Sequence, residues 1–177
     1  MCDSQNFFLD HLYNYHPQND EEIHNKSIII DFIKAHPNCF ENNCKPGHVT
    51  ASAWITNRTN SKFLLTLHKK FQRWLQLGGH SDGNCNSLQV AIREAQEESG
   101  LQHFKTDGKI FDIGIHHVSE NHVHFDLRFL LQTLDPDEAI ILSDESLDLQ
   151  WFCQLPPSSD TDMLRMYNKW VKTKGHL

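Results

Sequence analysis

Three carboxylates in one short stretch, Glu94, Glu97 and Glu98, are the residues of this chain whose types and spacing point most directly to chemistry. In a helix, at about 100° per residue, they fall in neighbouring directions and share one side. Like charges held so close repel one another, a cost that is offset when a divalent cation sits among them. Oxygen-only donors suit a hard ion, Mg²⁺ or Mn²⁺. The element that must carry the three is legible as well. Leu88, Ala91, Ile92 and Ala95 recur at helical spacing and form an apolar stripe able to pack on a sheet. Gly78 and Gly79 precede this helix and permit close backbone approach, so the Gly78 carbonyl is a further candidate metal ligand. Arg93 falls on the other side of the helix from Glu94 and Glu98, where it is expected to brace the preceding loop.

A second concentration of chemistry lies in the histidines, 13 of 177 residues, which gather at His116, His117, His122 and His124. Along His122-Val123-His124-Phe125-Asp126-Leu127-Arg128, strand alternation puts His122, His124, Asp126 and Arg128 on one face and apolar residues on the other. A His-x-His pair on a strand can bind a metal or contact a phosphate, and Asp126 could fix a ring tautomer. His80 and Asp82 follow the double glycine and are expected near this face. His80, His122, His124 and Arg128 are therefore the candidate substrate contacts. An ion pair with Asp126 accounts for Arg128 equally well.

Gly79, Arg93, Glu94, Glu97, Glu98, Gly100 and Leu101 stand at the spacings of a Nudix box, and residues 79–101 resemble that motif. Cys85 stands where the family carries its first glutamate. Trp74-Leu75-Gln76-Leu77-Gly78-Gly79 is similar to the strand that enters the box, and Leu149-Gln150-Trp151-Phe152 to a later family strand, so the resemblance extends from about His48 to Leu177. It implies the Nudix fold, an α/β/α sandwich with a mixed sheet. It also implies a Mg²⁺- or Mn²⁺-dependent hydrolase that cleaves a diphosphate bond in a nucleoside diphosphate linked to another group. Glu94, Glu97 and Glu98 would hold the metal and carry catalysis. The family draws its general base from the box or from a distant loop, so Glu120, Asp144 and Glu145 are all candidates. Gly78-Gly79-His80 stands where isopentenyl diphosphate isomerases carry Cys-Gly-His, but without that cysteine hydrolysis is the expectation. The alternative is a non-catalytic nucleotide- or metabolite-binding module of the same fold, which the altered position 85 would suit.

The rest of the chain frames these groups. Helices are expected at 5–15 and 20–36, the second announced by Asn19-Asp20-Glu21-Glu22 and ended by His36-Pro37. They form an N-terminal helical extension, residues 1–45, before a Nudix domain over 46–177. That extension is a candidate lid or homodimer surface. Pro46-Gly47 opens a run in which Val49, Ala51, Ala53 and Ile55 alternate, followed by a strand from Lys62 to His68 in a hairpin. Further strands are expected near 73–77, 109–118, 122–133 and 148–154, then a helix over 159–172. With 38% hydrophobic residues the chain can bury one full core. Five cysteines without a regular framework fit a reducing compartment. No apolar run of ~18 residues and no secretory leader occur, so the expected location is cytoplasmic and no membrane partner is expected. A net charge of −7 also argues against nucleic acid as a partner.

Overall fold

The computed structural model describes residues 3–135, 137–157 and 159–174. Met1, Cys2 and the last three residues, which the sequence reading placed in the extension and at the domain end, lie outside the described residues. The elements in chain order are α1 (Asp3–Asn14), α2 (Asp20–Ala35), β1 (Gly47–Thr56), β2 (Phe63–His68), β3 (Arg73–Leu75), β4 (Leu77–His80), α3 (Ser87–Ser99), β5 (Phe104–Lys105), β6 (Ile110–Ser119), β7 (His122–Thr133), β8 (Ser146–Phe152) and α4 (Thr161–Thr173). The sheet runs β3-β2-β1-β7-β5, with β4 on β1, β6 on β7 and β8 on β2. Each expected strand is present. The strand expected over 73–77 breaks at Gln76 because the chain changes partners there, β3 pairing β2 and β4 pairing β1. The two-residue β5, which pairs Phe104 with Thr133, is too short to announce itself. No described helix is long and apolar enough to cross a membrane.

The described residues group into two compact units, each assembled from separated segments. The first comprises residues 3–52, 79–91 and 108–129 of the described chain. Its helical part starts at a reciprocal cap: Asn19 Oδ1 accepts from the Glu22 N–H at 2.9 Å, and Asn19 Nδ2 donates to Glu22 Oε1 at 2.8 Å. Tyr15 closes on the same carboxylate, donating its hydroxyl to Glu22 Oε2 at 2.5 Å. Phe32 then stacks on Phe125 at 4.0 Å between ring centres, fastening α2 to β7.

In this unit β1 and β7 come together at Gly47. A Cβ there would run into the Val123 carbonyl oxygen, and the Val123 N–H donates to the Pro46 carbonyl at 3.0 Å. Every residue of β1 is buried, so its polar set, His48, Thr50 and Ser52, is as internal as the apolar Val49 and Ala51. That polar set has partners along β7. Thr50 and Ser52 donate to the two Asp126 oxygens at 3.1 and 2.8 Å. Arg128, 0% exposed, bridges Asp126 through Nε at 2.9 Å and Asp112 on β6 through Nη1 at 2.6 Å. Gly114 on β6 gives the guanidinium its space, since a Cβ there would collide with Arg128 Nη2.

The second unit comprises residues 53–78, 92–107 and 130–174 of the described chain. Its core is aromatic. Trp54 stacks on Phe63 at 4.7 Å, and Trp170 of α4 meets the Phe63 ring edge-on at 5.0 Å. The Trp170 indole N–H donates to Asn60 Oδ1 at 2.6 Å, so its one polar atom is satisfied inside. Asp160 caps α4, accepting from the Met163 N–H at 2.9 Å. The same carboxylate pairs with Arg73 at 3.2 Å. β8 lies along β2 from Phe63↔Phe152 to His68↔Ser146, and β1 and β2 form the expected antiparallel pair at Ile55↔Leu64.

Removing one member of a buried, hydrogen-bonded ion group leaves the others uncompensated. Arg128→Met should therefore lower the unfolding free energy by about 3–5 kcal/mol in denaturant titration. A loss below about 1 kcal/mol would show that the Asp112 and Asp126 charges find other compensation.

Candidate active site

Asn86 caps α3, its side-chain oxygen accepting from the Gln89 N–H at 3.1 Å. The buried line of this helix is Ser87, Val90, Ala91, Ala95 and Glu98. The expected stripe is thus rotated: Ala91 and Ala95 are fully buried, whereas Leu88 and Ile92 are only partly covered. Small residues at 87, 91 and 95 let the helix seat closely, and one turn further the same line reaches Glu98. A carboxylate therefore occupies a core-facing position. The helix ends at Gly100, whose φ of 77° needs glycine and whose added Cβ would meet Ile141 at 2.8 Å.

The three box glutamates differ sharply in setting. The Glu97 side chain is 60% exposed and that of Glu94 12%, while Glu98 as a residue is only 8% exposed. The contacts of Arg93 include Glu94 at 2.8 Å and, more loosely, Glu97 at 3.6 Å. No ion pair to Glu98 accompanies these. Burial, then the charges of Glu94 and Glu145, push the Glu98 carboxyl up to about 8, against a hydrogen bond from the Gly78 backbone. The Gly78 contact seen is thus to Glu98 and concerns its N–H. Oε2 of Glu98 is buried without a hydrogen-bond partner. A buried oxygen lacking a donor beside further carboxylates fits a bound cation.

Of the acids considered for proton transfer, Glu145 is the one whose charge acts on Glu98. Its backbone is fixed, the carbonyl accepting from the Lys69 N–H at 2.9 Å. Glu120 lies in the exposed turn between β6 and β7. Arg128 offers no surface to a phosphate, because its guanidinium is enclosed by Asp112, Asp126 and His116. The Asp126 carboxylate is engaged with Thr50, Ser52 and Arg128. Burial works against its ionisation, but the adjoining His116 and Arg128 outweigh it and hold it well below the usual carboxylate range.

The expected gathering of histidines is found in the first unit, with a member the sequence reading passed over. The rings of His80 and His124 lie 5.2 Å apart, those of His122 and His124 5.3 Å. Buried His48 sits among them, 4.9 Å from His80, 4.7 Å from His122 and 4.5 Å from His124. The signal for His48 was its alternation with Thr50 and Ser52. Those positions read as the outward face of a half-buried strand, but here both faces are inside. Burial first, then the neighbouring rings, lowers His48 to about 4 and His124 to about 3, so both are neutral at pH 7. The loop after His80 is held by the N-terminal segment. Gly83 N–H donates to the Phe40 carbonyl at 2.9 Å, and Asn42 donates to Asp82 at 2.5 Å. The extension thus braces the box loop. Cys85, partly exposed and free of a disulfide, lies in that loop.

No family model and no curated protein matches the chain. Solved structures do. A Nudix-family hydrolase from Clostridium perfringens is 25% identical with a TM-score of 0.57, the match covering 71% of this chain and 97% of that one. An Ap4A hydrolase from C. elegans is 20% identical with a TM-score of 0.63, covering 73% and 98%. A UDP-X diphosphatase is 13% identical with a TM-score of 0.57, and its match covers 96% of this chain and 92% of that one. The α/β fold of mixed sheet and helices is theirs. The chain thus shares the fold of these Nudix hydrolases, and its residues 79–101 follow the box pattern.

Glu98 has a pH signature. Its folded pKa, about 8, exceeds the ordinary 4.5, so the folded state holds the proton more tightly than the unfolded one. Stability from this group is complete below pH ~4.5 and is lost as pH rises toward ~8, by up to about 1.4 kcal/mol per pH unit. Unfolding in chelator should show this slope, and Glu98→Gln should flatten it. An unchanged slope in the variant would assign it to another group.

Proposed function

We propose that the protein is a Mg²⁺- or Mn²⁺-dependent pyrophosphohydrolase that cleaves the diphosphate bond of a nucleoside diphosphate linked to another group. The observation that carries this reading is Glu98. A carboxyl with a buried, unpartnered oxygen stands on the box helix with Glu94 and Glu97, an arrangement of oxygens that lacks only a cation. Glu94, Glu97 and Glu98 hold the ion, and the Gly78 carbonyl is the backbone oxygen proposed to join them. Bound there, a divalent cation would neutralise phosphate charge, lower the pKa of water and stabilise the leaving phosphate.

The chain's own part begins with a proton. Glu98, protonated at pH 7 by its surroundings, must release it when it becomes a ligand, so cation affinity rises with pH. Arg93 partly neutralises Glu94 and Glu97 and leaves Glu98 the least compensated acid of the three. Among Glu120, Asp144 and Glu145, we favour Glu145 as the proton acceptor because its charge acts on Glu98. His80, exposed at the end of β4, is proposed to face substrate. The substrate class is supported by two neighbours whose names, Ap4A hydrolase and UDP-X diphosphatase, describe compounds of this kind.

The test is a substrate panel of ADP-ribose, nucleotide sugars, dinucleoside polyphosphates, coenzyme A, NADH and nucleoside triphosphates, with products resolved by mass. Cleavage should require Mg²⁺ or Mn²⁺, and Glu97→Gln should reduce turnover by at least ~100-fold. Cys85→Glu, which restores a carboxylate at the family position, should keep or raise turnover. If nothing is cleaved while a nucleotide still raises the melting temperature, the protein is a binding module.

A further inference from the structure

We infer that His48, His80 and His124 form a second metal site, distinct in chemistry from the box carboxylates and selective for a borderline transition ion such as Zn²⁺. Each offers a ring nitrogen, and the three nitrogens lie within 4.8 Å of one another. Independent support comes from His48. It is 3% exposed, and neither ring nitrogen meets full hydrogen-bond geometry among the described residues, the Asn42 backbone acting on the ring only weakly. A buried imidazole ordinarily donates from one nitrogen and accepts at the other. A buried ring short of such partners is destabilising until an ion takes up a nitrogen. The next two polar residues on that face of β1 are satisfied, Thr50 and Ser52 donating their hydroxyls to Asp126.

The donor set decides the ion. Three imidazoles suit Zn²⁺, Cu²⁺ or Ni²⁺ and suit Mg²⁺ poorly. Bonds of about 2.0–2.1 Å in a tetrahedron would bring the nitrogens to roughly 3.4 Å apart. Closing from 4.8 Å asks for movements of an ångström or so. His80, exposed at the edge of the cluster, can supply much of that by turning its side chain, while β1 and β7 fix the other two. Strand geometry also explains why these residues meet. The Gly47 contact with Val123 sets β1 against β7 so that the adjacent positions 48 and 124 stand opposed. An ion with three protein ligands keeps a fourth position for water or a ligand oxygen, as in zinc sites that act rather than merely brace.

The test uses full-length protein without a polyhistidine tag, stripped by chelator and titrated with Co²⁺ and then Zn²⁺. One Co²⁺ per chain should bind with the visible bands of a low-coordinate ion, and Zn²⁺ should displace it. His80→Ala and His124→Ala should each weaken binding by more than ~100-fold, beyond the loss usual for an outer-shell partner. His103→Ala should bind as the parent does, and Glu97→Gln should keep the visible bands of the imidazole-bound ion. Circular dichroism confirms folding, and exposed His80 gives a variant that should fold even where a change at buried His48 does not. Absence of Co²⁺ and Zn²⁺ binding by the folded parent would overturn the site. So would binding that survives in both His80→Ala and His124→Ala, or binding that disappears only in Glu97→Gln.

Discussion

The interaction on which the arrangement of β1, β6 and β7 depends is the enclosed charge group around Arg128. A guanidinium without solvent is tolerable only when carboxylates and acceptors surround it, and here Asp112, Asp126 and His116 do so. The group ties specific positions on three strands: Asp112 on β6, Asp126 and Arg128 on β7, and through Asp126 the hydroxyls of Thr50 and Ser52 on β1. Sliding any strand by one residue would turn its contribution to the opposite face and strand a charge in the interior. Register is thus held by electrostatics as well as by apolar packing. The placement of His48 and His124 follows, two residues before Thr50 and two before Asp126.

Much of this architecture was legible in the chain. Glu94, Glu97 and Glu98 announced a charged side on a helix, and alternation over residues 122–129 marked β7, which runs on to Thr133. What escaped notice shares one cause. Alternation tells which residues face together but not whether the polar side meets water, so β1 read as half-exposed when it is buried on both faces. For the same reason Arg128 read equally well as a phosphate contact or as the partner of Asp126, and its burial favours the ion pair. The α3 stripe was misjudged by a fraction of a turn because alanine and serine, which allow close seating, carry little hydrophobic signal beside leucine and isoleucine. That rotation is what brings Glu98 inside.

The two candidate metal centres illustrate how one chain can separate ions by donor type. Carboxylates at 94, 97 and 98 are hard, charged and mutually repulsive, so their occupancy is tied to neutralisation. His48 and His124 are neutral at pH 7, and the cost at buried His48 is unmet hydrogen bonding rather than repulsion. One set is destabilised by its own charge and the other by the unsatisfied nitrogens of His48. Salt would relieve the first and leave the second almost untouched.

The pinned segment before β8 adds a kinetic dimension. Ile141 donates its N–H to the Ser99 carbonyl at 2.7 Å beside Gly100, and Glu145 is held through its carbonyl by Lys69, so the loop between them is anchored at both ends. An acid on a free loop would search a wide volume and lose entropy each time it met the box helix. Here that ordering is completed when the chain folds, so the Glu145 charge bears on Glu98 without a further entropic cost.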